Sequence, residues 1–568
     1  MRILGISCFY HDAAAALLVD GQLVAAAEEE RFSRVKHDSR WPAHAIDFCL
    51  ATGGLRPDDL DCVVFYEKPL LKFERVLLSA VSEAPRSIRF FREAMISSLL
   101  DRLWVKAKLR GRFGLPGDRL LFCEHHLSHA ASAFYCSPFE EAAVLTVDGV
   151  GEWTTAALGV GKDTTLRLTD ELRFPHSLGL LYSAFTAWLG FEVNEGEYKV
   201  MGMAPYGQPK YVDKVYEVVQ VDQDGGLQLD MSYFSFHQSV QRTYSPKFEA
   251  LLGPPRDPKQ EDVEPYYADV AASIQQVCEE TMLAMSQCLY DRTGLSNLCL
   301  AGGVALNSVA NGRIAREGPF ERVFIQPAAG DGGGALGAAL WAQHAVFGQP
   351  RTFMMDHAYW GQAYAPAEIR AALDAAGVTY RDLGGPEAVQ AAAVERLAQG
   401  QVLGWFQERF EYGPRALGAR SIIADPRRED IKDVVNRKIK FREPFRPFAP
   451  SVSLPAAGQY FDLAEPETAY PARFMLYVVD VLENSRERLP AITHVDGTAR
   501  PQTVDAAVNP RYAGLIEQFE AVAGLPVILN TSFNLRGEPI VNTPADALST
   551  FERSGLDALV LGDFLVTR

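Results

Sequence analysis

The chain has 568 residues, 48% hydrophobic and 22% charged, with a formal net charge of -17. At about 100–200 residues per domain it should form two to four globular units with sizeable cores. The acidic excess repels phosphate backbones, which excludes a general nucleic-acid binder. No run of about 18 apolar residues occurs, so no membrane-spanning helix is expected. The eight cysteines form no CxxC pair and none follows Cys299, which fits reduced, buried thiols rather than a disulfide framework or zinc knuckle. The short apolar run after Arg2 ends at His11 and Asp12 and does not read as a signal peptide, so a cytoplasmic location is expected.

Residues 3–8, 14–19 and 23–28 read as strands, the last two joined by the turn Asp20-Gly21-Gln22. The loop between the first two strands carries Tyr10, His11 and Asp12. Residues 73–110 look helical. A short strand at 120–123 leads into a helix over about 126–136, and 142–147 is a strand ending at Asp148-Gly149. A long helix is expected over 264–291, then strands at 297–300 and 323–326, each followed by a glycine-rich loop and a helix. Strand, glycine loop and helix in succession is an α/β signature. Residues 346–366 read as a linker. Beyond it come helices near 366–377 and 386–399 and strands near 402–406, 526–529 and 558–562. This gives a domain over residues 1–350 and a second α/β domain over 360–568, with no internal sequence repeat.

Three of eleven histidines fall within His125–His129. His125 and His129 share a helix face if the helix starts early enough. Two neutral imidazoles at that spacing suit a borderline divalent metal, and Asp148 and Asp331 stand at strand ends where they could complete the ligand set. Spacing alone leaves open that the histidines only cap or pack a helix. The loops at Gly149, at Gly302-Gly303 with Asn307, and at Gly332 each follow a strand, where amides at a helix start favour phosphate. The run from Gly332 to Gly337 also contains GxGxxG, and Asp356 stands at the spacing of a ribose-binding carboxylate, though in the linker. In the C-terminal half, Arg415, Arg420, Lys438, Lys440, Arg442 and Arg446 are interleaved with proline, phenylalanine and glycine. That pattern suits a rigid anion pocket better than a solvated helix face.

Ten segments in order carry a resemblance: HDAAAALLVDG, AEEERFSRVKH, HHLSHAASAF, VDGVGE, EYKVMGMAPYG, AGGVALN, GDGGGALGAA, GPRALGARSI, KFREPFRPFAP and NTSFN. They are similar to the O-carbamoyltransferase family of nodulation-factor, tobramycin and cephalosporin carbamoyltransferases. The resemblance implies an N-terminal actin-like ATPase (ASKHA) domain, like the tRNA threonylcarbamoyl-transfer enzyme, and a YrdC-like α/β C-terminal domain. It implies that the C-terminal domain makes carbamoyl-adenylate from carbamoyl phosphate and ATP. The N-terminal domain then transfers the carbamoyl group to a hydroxyl of a small natural product or sugar.

By the same resemblance His125, His129, Asp148 and Asp331 ligand a divalent ion, of iron type, with Mg2+ accompanying ATP. Lys36, Gly149, Gly302, Gly303, Asn307 and Gly332 contact the nucleotide in the N-terminal domain. Arg415, Arg420, Lys440, Arg442, Arg446, Arg500, Asn530 and Ser532 bind carbamoyl phosphate and ATP in the C-terminal domain. His11 and Asp12 orient or deprotonate the acceptor. Glu408 stands where glycine is common, and is expected to point outward or pair with an arginine. Ala419 stands where asparagine is frequent. The alternatives are an actin-like sugar kinase or ATPase, a fused tRNA threonylcarbamoylation enzyme, and a non-catalytic sensor.

Overall fold

The computed structural model describes residues 1–568 apart from 86, 90, 93–94, 96–101 and 240. The chain divides into two compact units. The first comprises Met1–Glu29 and Asp38–Met355, and the second Glu30–His37 and Asp356–Arg568. The chain thus leaves the first unit for the last time inside the expected linker, but the segment Glu30–His37 packs with the second.

In the first unit, β1 (Arg2–Ser7), β2 (Ala14–Val19), β3 (Gln22–Glu28), β4 (Cys62–Phe65) and β5 (Leu120–Phe122) form one sheet in the order β3-β2-β1-β4-β5. The first three are antiparallel, and β4 and β5 run parallel to β1. Asp20 and Gly21 both take positive φ, 50° and 81°, the backbone a two-residue hairpin demands.

A second sheet holds β6 (Glu141–Val147), β7 (Thr154–Lys162) and β8 (Thr165–Arg173). A small hairpin, β9 (Val219–Val221) with β10 (Leu227–Leu229), stands apart, and β11 (Asn297–Ala301) and β12 (Arg322–Ile325) complete the second sheet. Read from β8 its order is β8-β7-β6-β11-β12, again three antiparallel strands followed by two parallel ones. The absence of a sequence repeat therefore conceals a repeated topology. This duplicated arrangement makes the first unit an actin-like α/β fold.

The repeat sets up the site. The helix after β5, α1 (His125–Phe134), corresponds to the helix after β12. Before the latter come α2 (Pro265–Thr293) and α3 (Ser308–Glu317); it is then α4 (Asp331–Trp341). The expected helix over 73–110 is instead a helix Pro69–Ser82 and another at Val105–Phe113, and part of the intervening segment lies outside the described residues.

The GxGxxG run serves packing rather than a dinucleotide turn. A Cβ on Gly337 would lie 1.8 Å from the Ser128 carbonyl oxygen, and one on Gly334 2.7 Å from the Tyr66 ring. From the other side, a Cβ on Gly5 would lie 1.8 Å from the Ala335 carbonyl oxygen. Bare glycines let α4 nest against α1 and β1. Asp356 belongs to the second unit, whereas the run lies in the first.

The second unit is built on a mixed eight-stranded sheet: β13 (Tyr380–Asp382), β14 (Leu403–Phe406), β15 (Arg420–Ala424), β16 (Ala449–Ser453), β19 (Gln502–Val504), β20 (Val527–Ser532), β21 (Ala558–Leu561) and β22 (Phe564–Thr567). A two-stranded ribbon, β17 (Val479–Asp480) with β18 (Thr498–Ala499), precedes β19. The large sheet runs β13-β22-β21-β14-β15-β20-β16-β19. Its core gathers Leu403, Trp405, Ile422, Ile528 and Leu559 with Phe519 and Phe551 of the helices Pro510–Ala523 and Pro544–Arg553. Glu30–His37 is fastened to this unit: Arg31 donates to the Gly413 carbonyl at 2.6 Å, and Arg34 to those of Ile540 and Pro539 at 2.6 and 2.9 Å. Among the described residues no helix is long and apolar enough to cross a membrane.

Candidate functional site

In the first unit the four expected ligands converge. His125 is the first residue of α1 and Asp331 the first of α4, so they occupy matching places in the duplicated topology. His129 lies one turn along α1, and Asp148 directly follows β6. His125 Nε2 lies 3.1 Å from His129 Nε2, 3.2 Å from Asp148 Oδ2 and 3.5 Å from Asp331 Oδ1. His129 Nε2 lies 3.6 Å from Asp331 Oδ1 and 4.0 Å from Asp148 Oδ2. Atoms about 2.1 Å from one ion stand about 3.0–3.4 Å apart at coordination angles of about 90–109°.

The donor set fits a divalent ion on chemical grounds too. All four side chains are buried, and Asp331 Oδ1, which faces the Nε2 atoms of both histidines, has no hydrogen-bond partner among the described residues. Two carboxylates and two imidazoles aimed at one point call for a shared cation. The electrostatics agree. Burial opposes the charge of His125, yet Asp331 and Asp148 raise its pKa to about 9. Burial likewise opposes ionisation of Asp148, but the hydrogen bond from His125 and the charge of His129 hold it well below the usual carboxylate range. His126 turns away, bonded to Thr146 Oγ1 at 2.8 Å, and burial together with His125 lowers it to about 3.

His11 and Asp12 follow β1, the place corresponding to Asp148 after β6. His11 Nδ1 lies 2.9 Å from Asp12 Oδ2 and its Nε2 3.8 Å from Asp331 Oδ2. Against burial, Asp331 and Asp12 draw its pKa up to about 10. Residue spacing did not single out the groups that brace this centre. Tyr66 donates to Asp331 at 3.3 Å, Glu67 and Lys72 form a buried ion pair at 2.6 Å, and Glu152 accepts from the His125 amide.

The glycine loops are placed differently. The Gly303 amide donates to Asp148 Oδ1 at 2.9 Å, and that of Gly302 to the Ala329 carbonyl at 2.8 Å, so both brace the centre itself. Gly149 follows Asp148, and its carbonyl accepts from Ser177 at 2.7 Å. Gly332 lies in the first turn of α4. Asn307 caps α3 through the Ala310 amide at 3.1 Å, and its Nδ2 donates to Gln275 at 3.1 Å.

In the second unit a group of cations gathers. Burial with Arg442, Arg446 and Lys36 pushes the Lys440 ammonium well below its ordinary pKa, and burial with Arg415 and Arg446 does the same to Arg500. Lys440 Nζ donates to the Ser532 carbonyl and hydroxyl and to Asn534 Oδ1 at 2.7–2.9 Å, all neutral oxygens. Arg442 donates to Asn436 at 2.7 Å, and Glu443, 3.6 Å from Arg446, supplies partial compensation. Lys36, expected in the N-terminal domain, belongs to this group because its segment packs with the second unit.

Two expected pocket residues turn inward. Arg420 is fully buried, donates to the carbonyls of Gln407, Ala419, Gln362 and Glu408, and lies 3.6 Å from the Phe406 ring centre. Both terminal nitrogens of its guanidinium are spent on backbone carbonyls, which gives this arginine a structural task. Asn530 is 1% exposed and bonds Ala416, Ser451 and Gln502, which anchors the loop that carries Arg415. Glu408 is exposed and has φ 40°, which explains why glycine suits that place.

Residues 2–340 match the family described as Carbamoyltransferase N-terminus, and residues 394–568 the one described as Carbamoyltransferase C-terminus. The chain belongs to the O-carbamoyltransferase family. It is accordingly a transferase. The nodulation protein NolNO of Sinorhizobium fredii is 37% identical over 99% of this chain and 79% of its own. The uncharacterized protein sll1178 of Synechocystis sp. is 47% identical over 100% of this chain and 97% of its own. The 3'-hydroxymethylcephem-O-carbamoyltransferase of Amycolatopsis lactamdurans is 38% identical over 47% of this chain and 48% of its own.

Proposed function

We propose that this carbamoyltransferase works in two ATP-dependent steps, one in each unit. In the second unit carbamoyl phosphate and ATP, with one water consumed, give carbamoyl-adenylate, pyrophosphate and phosphate. In the first unit the acceptor hydroxyl oxygen bonds to the carbamoyl carbon, AMP leaves, and the hydroxyl proton passes to the Asp12 carboxylate, which the protonated His11 holds in place. The acceptor is a small natural product or sugar.

The observation that carries this reading is the contrast between the two centres. The second unit gathers Lys36, Arg415, Lys440, Arg442, Arg446 and Arg500, where burial together with the neighbouring cations depresses Lys440 and Arg500. Two anionic phosphate-bearing reactants, one of them a triphosphate, call for that excess of cation, and charge builds between them during adenylation. The first unit presents two histidines and two aspartates. An ion held by His125, His129, Asp148 and Asp331, iron by family resemblance, would supply positive charge toward the adenylate phosphate. The chain's own groups orient the acceptor: Asp12 holds His11 at 2.9 Å beside that centre. AMP is a good leaving group, so a base of modest strength suffices.

The experiment is pyrophosphate release from ATP by the full chain with and without carbamoyl phosphate. Release that requires carbamoyl phosphate is expected. Release that ignores it would favour a kinase or ATPase that uses the first unit alone.

A further inference from the structure

We infer that Glu152, the last residue of the VDGVGE segment, is the positioning residue that fixes the His125 ligand by capping the start of α1 from a distant loop. This rests on the reading of His125, His129, Asp148 and Asp331 as an ion site, and it assigns a task to a residue that reading leaves idle.

A helix that begins on a ligand has a built-in weakness. The first amides of a helix lack intrahelical partners, and a fraying first turn would carry the imidazole with it. The residue in the N-cap place, Glu124, does not cap: its carboxylate pairs with Lys68 Nζ at 2.7 Å. Glu152 takes over. Its two carboxylate oxygens both accept from the His125 amide, each at 3.1 Å, and Oε1 also accepts from the Lys68 amide at 2.7 Å. The residue is 6% exposed, so its charge is spent on these amides and on the positive end of the helix dipole.

The loop that carries Glu152 begins at Asp148. One short stretch therefore delivers one ligand and pins the backbone of another. Through Lys68 it also holds the turn after β4, from which Tyr66 donates to Asp331. Gly151 lets the loop lie flat on the imidazole, since a Cβ there would sit 3.0 Å from both Cβ and Cδ2 of His125. The ring is held by the loop on one side and by Asp148 at 3.2 Å on the other. Partners that orient metal ligands typically change metal affinity by about 10–100-fold when they are removed.

The test is titration of the full chain with Mn2+ alone, reading free ion by electron paramagnetic resonance, well below the onset of thermal unfolding. Glu152→Ala is expected to weaken binding by about 10–100-fold. Glu152→Gln, which keeps an acceptor for the amides, should recover most of it. Glu124→Ala, which removes the local N-cap side chain, should leave it unchanged. Gly151→Ala, which pushes the loop off the ring while keeping the carboxylate, should weaken it as well. A folded Glu152→Ala chain that binds Mn2+ within about twofold of the parent would overturn the assignment. Should Glu152→Ala fail to fold, parental affinity in Gly151→Ala would overturn it instead. His129→Ala separates the two ideas: unchanged binding there removes the ion site itself, whereas lost binding there with parental Glu152→Ala removes only the positioning role.

Discussion

Replacing Arg420 with methionine separates an arginine spent on backbone carbonyls from Arg415, which is proposed to face the phosphates. Methionine keeps much of the side-chain volume and offers no donor. Four carbonyls lose a partner, but those of Ala419 and Gln362 keep the amides of Gln407 and Phe410 at 2.9 and 3.3 Å. The cost therefore falls on the Gln407 and Glu408 carbonyls, at about 1–3 kcal/mol for each acceptor left unmet. The contact with Phe406 adds about 2 kcal/mol for a desolvated cation over a ring. Burial draws the guanidinium pKa down to about 9, against the pull of Glu411, so removing the cation returns part of this sum. The net expectation is a loss of about 3–4 kcal/mol. In a unit of this size that lowers the melting transition by about 2–4 °C per kcal/mol. Differential scanning calorimetry of the full chain reads the transition, and isothermal titration with carbamoyl phosphate at low temperature reads binding. A transition within about 2 °C of the parent, combined with lost carbamoyl phosphate binding, would show that Arg420 is a ligand group after all.

The remaining expectations are shorter. Glu408→Gly should stabilise the chain by about 0.5–1 kcal/mol, because relief of left-handed backbone strain exceeds the added chain entropy of glycine; a lower urea midpoint would refute this. His129→Ala should strip the ion and halt transfer while carbamoyl-phosphate-dependent pyrophosphate release continues; metal analysis and the pyrophosphate assay read the two arms. Lys440 has a depressed folded pKa, so between that value and its unfolded value the unfolded chain binds more protons and stability rises with pH. Below the folded pKa the burden of the buried cation is fully present. Lys440→Met should flatten that alkaline rise, and inorganic phosphate should raise the melting temperature of the parent more than that of the variant.

His125 and His129 were legible because a four-residue spacing is a local property, and the helix starts at His125 itself. Asp148 and Asp331 were legible because carboxylates at strand and helix ends are where α/β sites form. The bracing groups were not. Glu152 reaches α1 across 27 residues, and Tyr66 reaches Asp331 across 265, partners that no local pattern encodes. Arg415 and Arg420 look alike in sequence, but the pairing of β15 with β14 and β20 turns Arg420 into the interior. The run Gly332–Gly337 was ambiguous in principle, since a phosphate cradle and a close helix crossing both require a missing Cβ. The repeated sheet order leaves no trace in residue identity, because strand order follows apolar patterning alone.

The segment Glu30–His37 bears on how the protein can be taken apart. Arg31 is 1% exposed and bonded to Gly413, so a single cut after Met355 would spoil both pieces. The amino-terminal fragment would carry an octapeptide cut off from its binding groove. The carboxy-terminal fragment would expose Phe410 and the carbonyls of Gly413, Pro539 and Ile540. A self-sufficient second unit needs those eight residues grafted back, by circular permutation or by adding them as a peptide. The adenylate-forming step proposed for this unit can then be assayed by fragment complementation, with the octapeptide as the missing component.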